Sequence, residues 1–236
     1  MKNPAAGGGR WIEVAPGRFP AWIAEFGRRH GGAGPVTPGP VTYSTVTCST
    51  VTFSTVTFSA ADGATAECHP PFPPLREPPA ADAGAAARAI AAHAAADRVV
   101  GVLLVRLGGY AVGVFAGSPP VLTDSKTGSR LVHGRSAAGG WSQHRFARRR
   151  EKQVSEALAA AADAAAHIFG GSAQPQVVVL GGDRRAVAEL ADDPRLAPYL
   201  DKAADRFLTV PDPRLAVLRD TPRAFQAIRI RLTELS

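Results

Sequence analysis

Gln143 stands between a glycine-rich stretch and a cluster of arginines, and chemistry could reside at that junction. The chain there reads Gly134-Arg135-Ser136-Ala137-Ala138-Gly139-Gly140-Trp141-Ser142-Gln143-His144-Arg145. Until Trp141 nearly every side chain is small. Such a loop has little to bury, can enter a narrow space and lets its backbone approach a substrate closely. Glutamine cannot serve as a strong base, so any catalysis here must rest on positioning. Charge indicates what the loop would be positioned against. Lys126, Arg130, Arg135, Arg145, Arg148, Arg149 and Arg150 fall within 126–150, a stretch with no Asp or Glu. These seven cations equal the formal net charge of +7, so the rest of the chain sums to about neutral. A local excess of this kind gains affinity for a nucleic acid backbone by releasing counterions. A solvated arginine-rich surface would have the same composition.

The element that must carry this segment is a helix from about Trp141 to Phe169, with Ser142 placed to cap it and Gly170-Gly171 to end it. At about 100° per residue, Arg148, Arg149 and Lys152 fall within about 60° of Arg145. Val154, Leu158, Ala161, Ala165 and Ile168 cluster on the opposite side, which makes that side the core face. Arginine near a helix N-terminus opposes the macrodipole, which suggests that the charge has another use. Upstream, Val99–Leu107 is a valine- and leucine-rich strand, Gly108-Gly109 a tight turn, and Tyr110–Ala116 the returning strand. Gly117-Ser118-Pro119-Pro120 turns into Val121–Asp124, and Lys126-Thr127-Gly128 reads as a further turn before Ser129–His133. Downstream, Gln176–Leu180 is a buried strand, and Asp183 caps a helix over 184–191. The preceding Gly181-Gly182 resembles a phosphate loop only weakly, lacking its Lys-Ser/Thr. Phe207–Val210 reads as a strand, and Phe225–Leu232 alternates apolar residues with Arg229 and Arg231 as an edge strand would, with a helix as the alternative. The expectation is an α+β fold with a mixed, mainly antiparallel sheet packed by helices.

The N-terminal region predicts a small α+β domain over 1–75. Trp11–Val14 is a strand, Pro16-Gly17 a turn, and Trp22, Ile23 and Phe26 mark an amphipathic helix stopped by Gly31-Gly32. From Val41 a Val-Thr-x-Ser-Thr pattern recurs every five residues, with Tyr43, Cys48, Phe53 and Phe58 at its third position. An odd period throws successive aromatics onto opposite strand faces, so strand pieces or a hairpin with loose register are expected. Six prolines between His69 and Pro79 predict an extended linker; with an alanine-rich helix at about 80–97 it makes a connector over 76–98, ahead of a second domain over 99–236. His93 on that helix reads as a packed or surface residue. The two cysteines, Cys48 and Cys68, sit in no metal-binding spacing, and neither a metal nor a cofactor is expected. The N-terminus lacks the apolar block of a signal peptide and no apolar run suits a membrane span, so a cytoplasmic monomer off the membrane is expected.

Gly139-Gly140-Trp141-Ser142-Gln143 before an arginine cluster, following a meander that contains Gly108-Gly109-Tyr110-Ala111-Val112-Gly113-Val114-Phe115, resembles the Vms-like release factor family in its actinobacterial branch. The resemblance covers about 97–236 well and the Trp11–His30 region more loosely. It implies the fold of the catalytic middle domain of archaeal and eukaryotic class I release factors, whose Gly-Gly-Gln loop enters the peptidyl transferase centre. Gln143 then takes the glutamine position, and Gly139 and Gly140 the glycine positions, with Trp141 and Ser142 inserted between. The implied activity is hydrolysis of the ester between nascent peptide and tRNA on stalled large ribosomal subunits, as in ribosome rescue and quality control. Arg130, Arg135, Arg145, Arg148, Arg149, Arg150 and Lys152 would hold rRNA or tRNA phosphates. Two other readings remain: cleavage of tRNA near its 3′ end, with His133 or His144 as base, and a non-catalytic rRNA- or tRNA-binding module.

Overall fold

The computed structural model describes residues 3–4, 8–40, 53–75, 82–106, 108–129 and 142–234. They form two compact units, Met1–Ala96 with Gln226–Ser236, and Asp97–Phe225. The first begins with β1 (Asn3–Pro4), β2 (Arg10–Val14), a 3-10 turn at Pro16–Arg18, α1 (Phe19–Arg29), β3 (Ala33–Pro40), β4 (Phe53–Ala60), β5 (Thr65–His69) and α2 (Ala83–Ala95). Asp82 caps α2, its Oδ1 accepting from the Ala85 amide at 2.6 Å. Phe19, Ile23 and Phe26 of α1 and Ala86, Ala87, Ile90 and Ala94 of α2 share one core with the inward residues of the strands. In β4 those are Val56, Phe58 and Ala60, selected by the strand's two-residue period rather than by the five-residue repeat. Phe19 meets Phe58 edge-on at 6.3 Å. Of the repeat, the end from Phe53 on lies in β4, which pairs antiparallel with β3 ahead of the repeat, with a register shift at Gly39/Pro40. Residues 41–52 lie outside the described residues.

The boundary expected in the proline-rich segment is not where the units divide. Leu75 is buried in the first core, and the His93 Nε2 lies 3.2 Å and 3.1 Å from the Pro71 and Phe72 carbonyl oxygens. The described part of the segment, up to Leu75, and the helix are thus packed parts of the first unit, which runs on to Ala96.

The second unit contains β6 (Val100–Arg106), β7 (Gly109–Ala116), β8 (Val121–Ser129), α3 (Ser142–Phe169), β9 (Val177–Gly182), α4 (Arg184–Leu190), α5 (Ala197–Leu200), β10 (Ala203–Leu208) and α6 (Leu215–Phe225). Its sheet runs β10-β9-β6-β7-β8, parallel through β10, β9 and β6 and antiparallel through β6, β7 and β8. This is the mixed α+β arrangement the sequence predicts. Helices cover both faces, which explains why β6 is apolar almost throughout. On one face Val112 and Val114 of β7 share a core with Ala161, Ala164, Ala165 and Ile168 of α3. On the other, Phe115 meets Phe225 edge-on at 5.7 Å, and a Cβ on Gly113 would strike Leu122 and Leu218 at 2.7 Å and 2.9 Å.

No sequence signal had marked α6, because Pro222 lies inside it. Proline removes the amide that would bond the carbonyl four residues back. The buried Thr221 hydroxyl donates to that carbonyl instead, Leu218 O, at 2.7 Å.

After α6 the chain returns to the first unit as β11 (Ile228–Thr233), giving the sheet order β1-β2-β11-β5-β4-β3. The expected edge strand is therefore central, bonded on both sides by β2 and β5. Ile228, Ile230 and Leu232 point into the core, while Arg229 and Arg231 lie on the other face opposite acidic neighbours. Arg231 pairs with Glu67, and Arg229 stands 3.9 Å from Glu13 and over the Trp11 ring at 4.6 Å. These contacts neutralise charges that suggested an edge, and they place 226–236 outside the second unit, against the expected 99–236.

Candidate functional site

The site must be built on α3, because it carries Gln143 and most of the candidate cations. The helix runs unbroken from Ser142 to Phe169, starting at the residue expected to cap it. Its second half is anchored: Ala161, Ala162, Ala164, Ala165, Ile168 and Phe169 are buried. Near its C-terminus Phe169 sits against Gly101 at the start of β6, where a Cβ would come within 2.9 Å of the ring. Val154, Ala157 and Leu158 instead line a crevice with Val105, Arg106 and Gly109, at the far end of the same strand. The helix therefore runs antiparallel to β6 and reaches the sheet's end near Val154. Twelve further residues lead back to Ser142, about 18 Å of helix at 1.5 Å per residue, beyond the β6–β7 turn.

The predicted core face of α3 is found, with Ala161, Ala165 and Ile168 buried and Leu158 packed against them. Gln143, Arg145, Arg148, Arg149, Arg150 and Lys152 all occupy the overhanging part of the helix backbone. Helical spacing sets positions 145, 148, 149 and 152 along one side. Gly139, Gly140, Arg130, Arg135 and His133 lie outside the described residues.

Two features of the second unit escaped sequence reasoning. The first concerns β8, which leads toward the loop. Lys126-Thr127-Gly128 makes no turn; β8 continues to Ser129 and pairs with β7 down to Gly109. Gly128 is there because Tyr110 crosses it: a Cβ would come within 2.5 Å of the ring. Tyr110 opposite a glycine in the expected meander was the available signal. The second is Arg195, which reaches from the segment before α5 to Asp163 of α3 at 2.8 Å while its Nη2 bonds Asp193 at 2.7 Å. Hydrogen bonds from Arg195 hold the Asp193 carboxyl below its ordinary range, and the two carboxylates raise the guanidinium in turn. This ion pair ties the second half of α3 to its neighbours without involving the overhang.

Asp183 does cap α4, its Oδ1 accepting from the Arg185 amide at 2.8 Å. The glycines before it serve packing: Gly182 has φ +102°, and Cβ atoms on Gly181 and Gly182 would strike Leu208 O at 2.7 Å and Val105 O at 2.1 Å. Among the described residues no three His, Cys, Asp or Glu side chains gather where they could hold a metal ion. No helix of the described residues is long and apolar enough to cross a membrane.

Among solved structures, the crystal structure of the archaeal translation termination factor aRF1 is similar at 13% identity and a TM-score of 0.38. The alignment covers 71% of this chain and 51% of that one, so the chain spans about half the length of that relative. No curated protein matches the sequence. Residues 98–231, more than half of the chain, match a family of actinobacterial and chloroflexi release factors. The chain belongs to the Actinobacteria/chloroflexi VLRF1 release factor family.

Proposed function

We propose that the protein is a ribosome-associated peptidyl-tRNA hydrolase that frees nascent peptide on stalled large subunits through Gln143. The observation that carries this reading is the overhang of α3. Gln143 is its second residue, about 17 Å of helix beyond the end of the sheet near Val154, and the sequence just before it is rich in small residues. A group on such a stalk can enter a confined site that the body of the domain cannot.

In the proposed reaction the Gln143 amide orders a water against the ester carbonyl, while backbone N–H groups of the Gly139-Gly140 loop stabilise the departing 3′ oxygen. The amide accepts no proton. The tRNA 2′-hydroxyl and ribosomal groups handle proton transfer, and the protein supplies placement. Arg130, Arg135, Arg145, Arg148, Arg149, Arg150 and Lys152 hold rRNA or tRNA phosphates, with affinity that falls as salt rises.

The test is release of labelled peptide from peptidyl-tRNA on isolated large subunits, wild type against Gln143→Ala. Loss of one positioned transition-state donor predicts a fall of about 10²-fold or more, with subunit binding retained. Unchanged release would leave only a non-catalytic RNA-binding role. A shortened CCA end on the released tRNA would point to nuclease chemistry instead, since ester hydrolysis leaves that end intact.

A further inference from the structure

Strand β8 closes one side of the second sheet, and among the described residues it pairs with β7 alone. It is nine residues long and exposed or half-exposed throughout, with Val121 at 63%. A long open edge offers a row of backbone donors and acceptors to another strand, and natural proteins usually guard such edges with charge or bulges. One guard is present: Thr123 is an extra residue in the β7–β8 ladder, its hydroxyl donating to Val114 O at 3.0 Å. The charges are the informative part. Ser125 is the midpoint of the strand, and Asp124 and Lys126 flank it on the face shared with Val114 and Val112.

We infer that β8 is a self-complementary edge that pairs antiparallel with β8 of a second copy of this chain about a two-fold axis at Ser125. That axis sets Asp124 of each copy opposite Lys126 of the other, so the edge guards against other strands while accepting itself. The match does not depend on which residues bond across the edge. In either antiparallel alternation the facing Cα atoms are about 4.5–5.5 Å apart, close enough for the charge pair. Thr123 falls opposite Thr127 in the same register, although the bulge at Thr123 confines regular pairing to the middle of the strand. The helices fit as well. α3 lies mainly over β7, and the two β7 strands would be three strand spacings apart, about 14 Å. Packed helices need only about 8–10 Å between axes, so the two copies of α3 clear one another. The two-fold runs them antiparallel, with their overhangs pointing away in opposite directions. An interface this short makes a weak, concentration-dependent dimer in the micromolar range.

Sedimentation equilibrium of the full chain up to about 100 μM provides the test, with Asp124→Lys, Lys126→Asp and the double exchange. Wild type should show a reversible monomer–dimer equilibrium. Each single exchange sets two like-charge pairs across the axis and should weaken dimerisation about tenfold or more. The double exchange restores opposite charges and should recover the wild-type constant. A monomer throughout the concentration range would overturn the inference, whether the edge is bare or meant for another protein. Single exchanges that leave the dimer intact, or a double exchange that fails to rescue it, would overturn the proposed register.

Discussion

Strands β11 and β8 each carry charges of the kind that guard a sheet edge, yet one lies in the middle of its sheet and the other at the margin. β11 has a bonded neighbour on either side, and its arginines meet Glu13, Glu67 and the Trp11 ring. Among the described residues β8 has one neighbour, and Asp124 and Lys126 are exposed. The contrast extends along the chain, because β8 opens the acid-free stretch 126–150 with its seven cations. Where the fold supplies a counter-charge, arginine is a surface fitting of the sheet. Where the sequence supplies none nearby, we propose that the charge serves another molecule.

The largest effect should come from the core side of β11. Ile230 is fully buried between two bonded neighbours, so Ile230→Ala should destabilise the first unit by about 2–5 kcal/mol in urea unfolding. Leu122→Ala in β8, at a half-buried position, should cost less; equal costs would mean that central and marginal strands contribute alike. Next in size is the proposed use of the cations in the acid-free stretch. Arg148→Ala with Arg149→Ala should weaken binding to large subunits and reduce the slope of log affinity against log salt by about 2, one for each phosphate that the two arginines neutralise. An unchanged slope would show that neither arginine meets a phosphate.

The smallest effect concerns the matched charges. Burial holds the His69 imidazole below its ordinary value; Arg229 and Arg231 push the same way, against the pull of Glu67 at 2.8 Å. The folded protein thus takes up this proton less readily than the unfolded chain, whose histidines titrate near about 6.5. The contribution of His69 to stability is therefore complete above that pH and is lost as pH falls toward the folded value. Unfolding midpoints measured between pH 7.5 and about 5 should drop less for His69→Gln than for wild type. Parallel pH curves would show that His69 is not part of the balance on that face.

Local pattern was legible wherever a segment's partners lie close in sequence. The β6–β7 hairpin, the buried stripe of α3 and the Asp183 cap are each fixed within a few residues, and each stands where the sequence predicts. What stayed hidden depends on distant partners. Gly128 reads as a turn until Tyr110 is seen across it, and Pro222 reads as a helix stop until Thr221 replaces the missing donor. Arg229 and Arg231 read as an edge until Glu13 and Glu67 are beside them. At the candidate site, the order of small residues, glutamine and arginines was explicit in the sequence. The length of helix standing clear of the sheet was not, since it depends on where Val154 meets the end of the β6–β7 hairpin.

The position of β11 also bears on how the chain comes to be folded during its own synthesis. Ile228 pairs with Val14, so everything between these two positions must be made before that ladder can close. A late strand could be added to a margin at little cost, but this one must enter a slot between β2 and β5. Until it arrives, those two strands either wait unpaired or bond each other and must later separate. Contacts so remote in sequence slow folding. The N-terminal unit thus leaves the tunnel without its central strand, and a nascent chain that stalls before residue 228 cannot supply it.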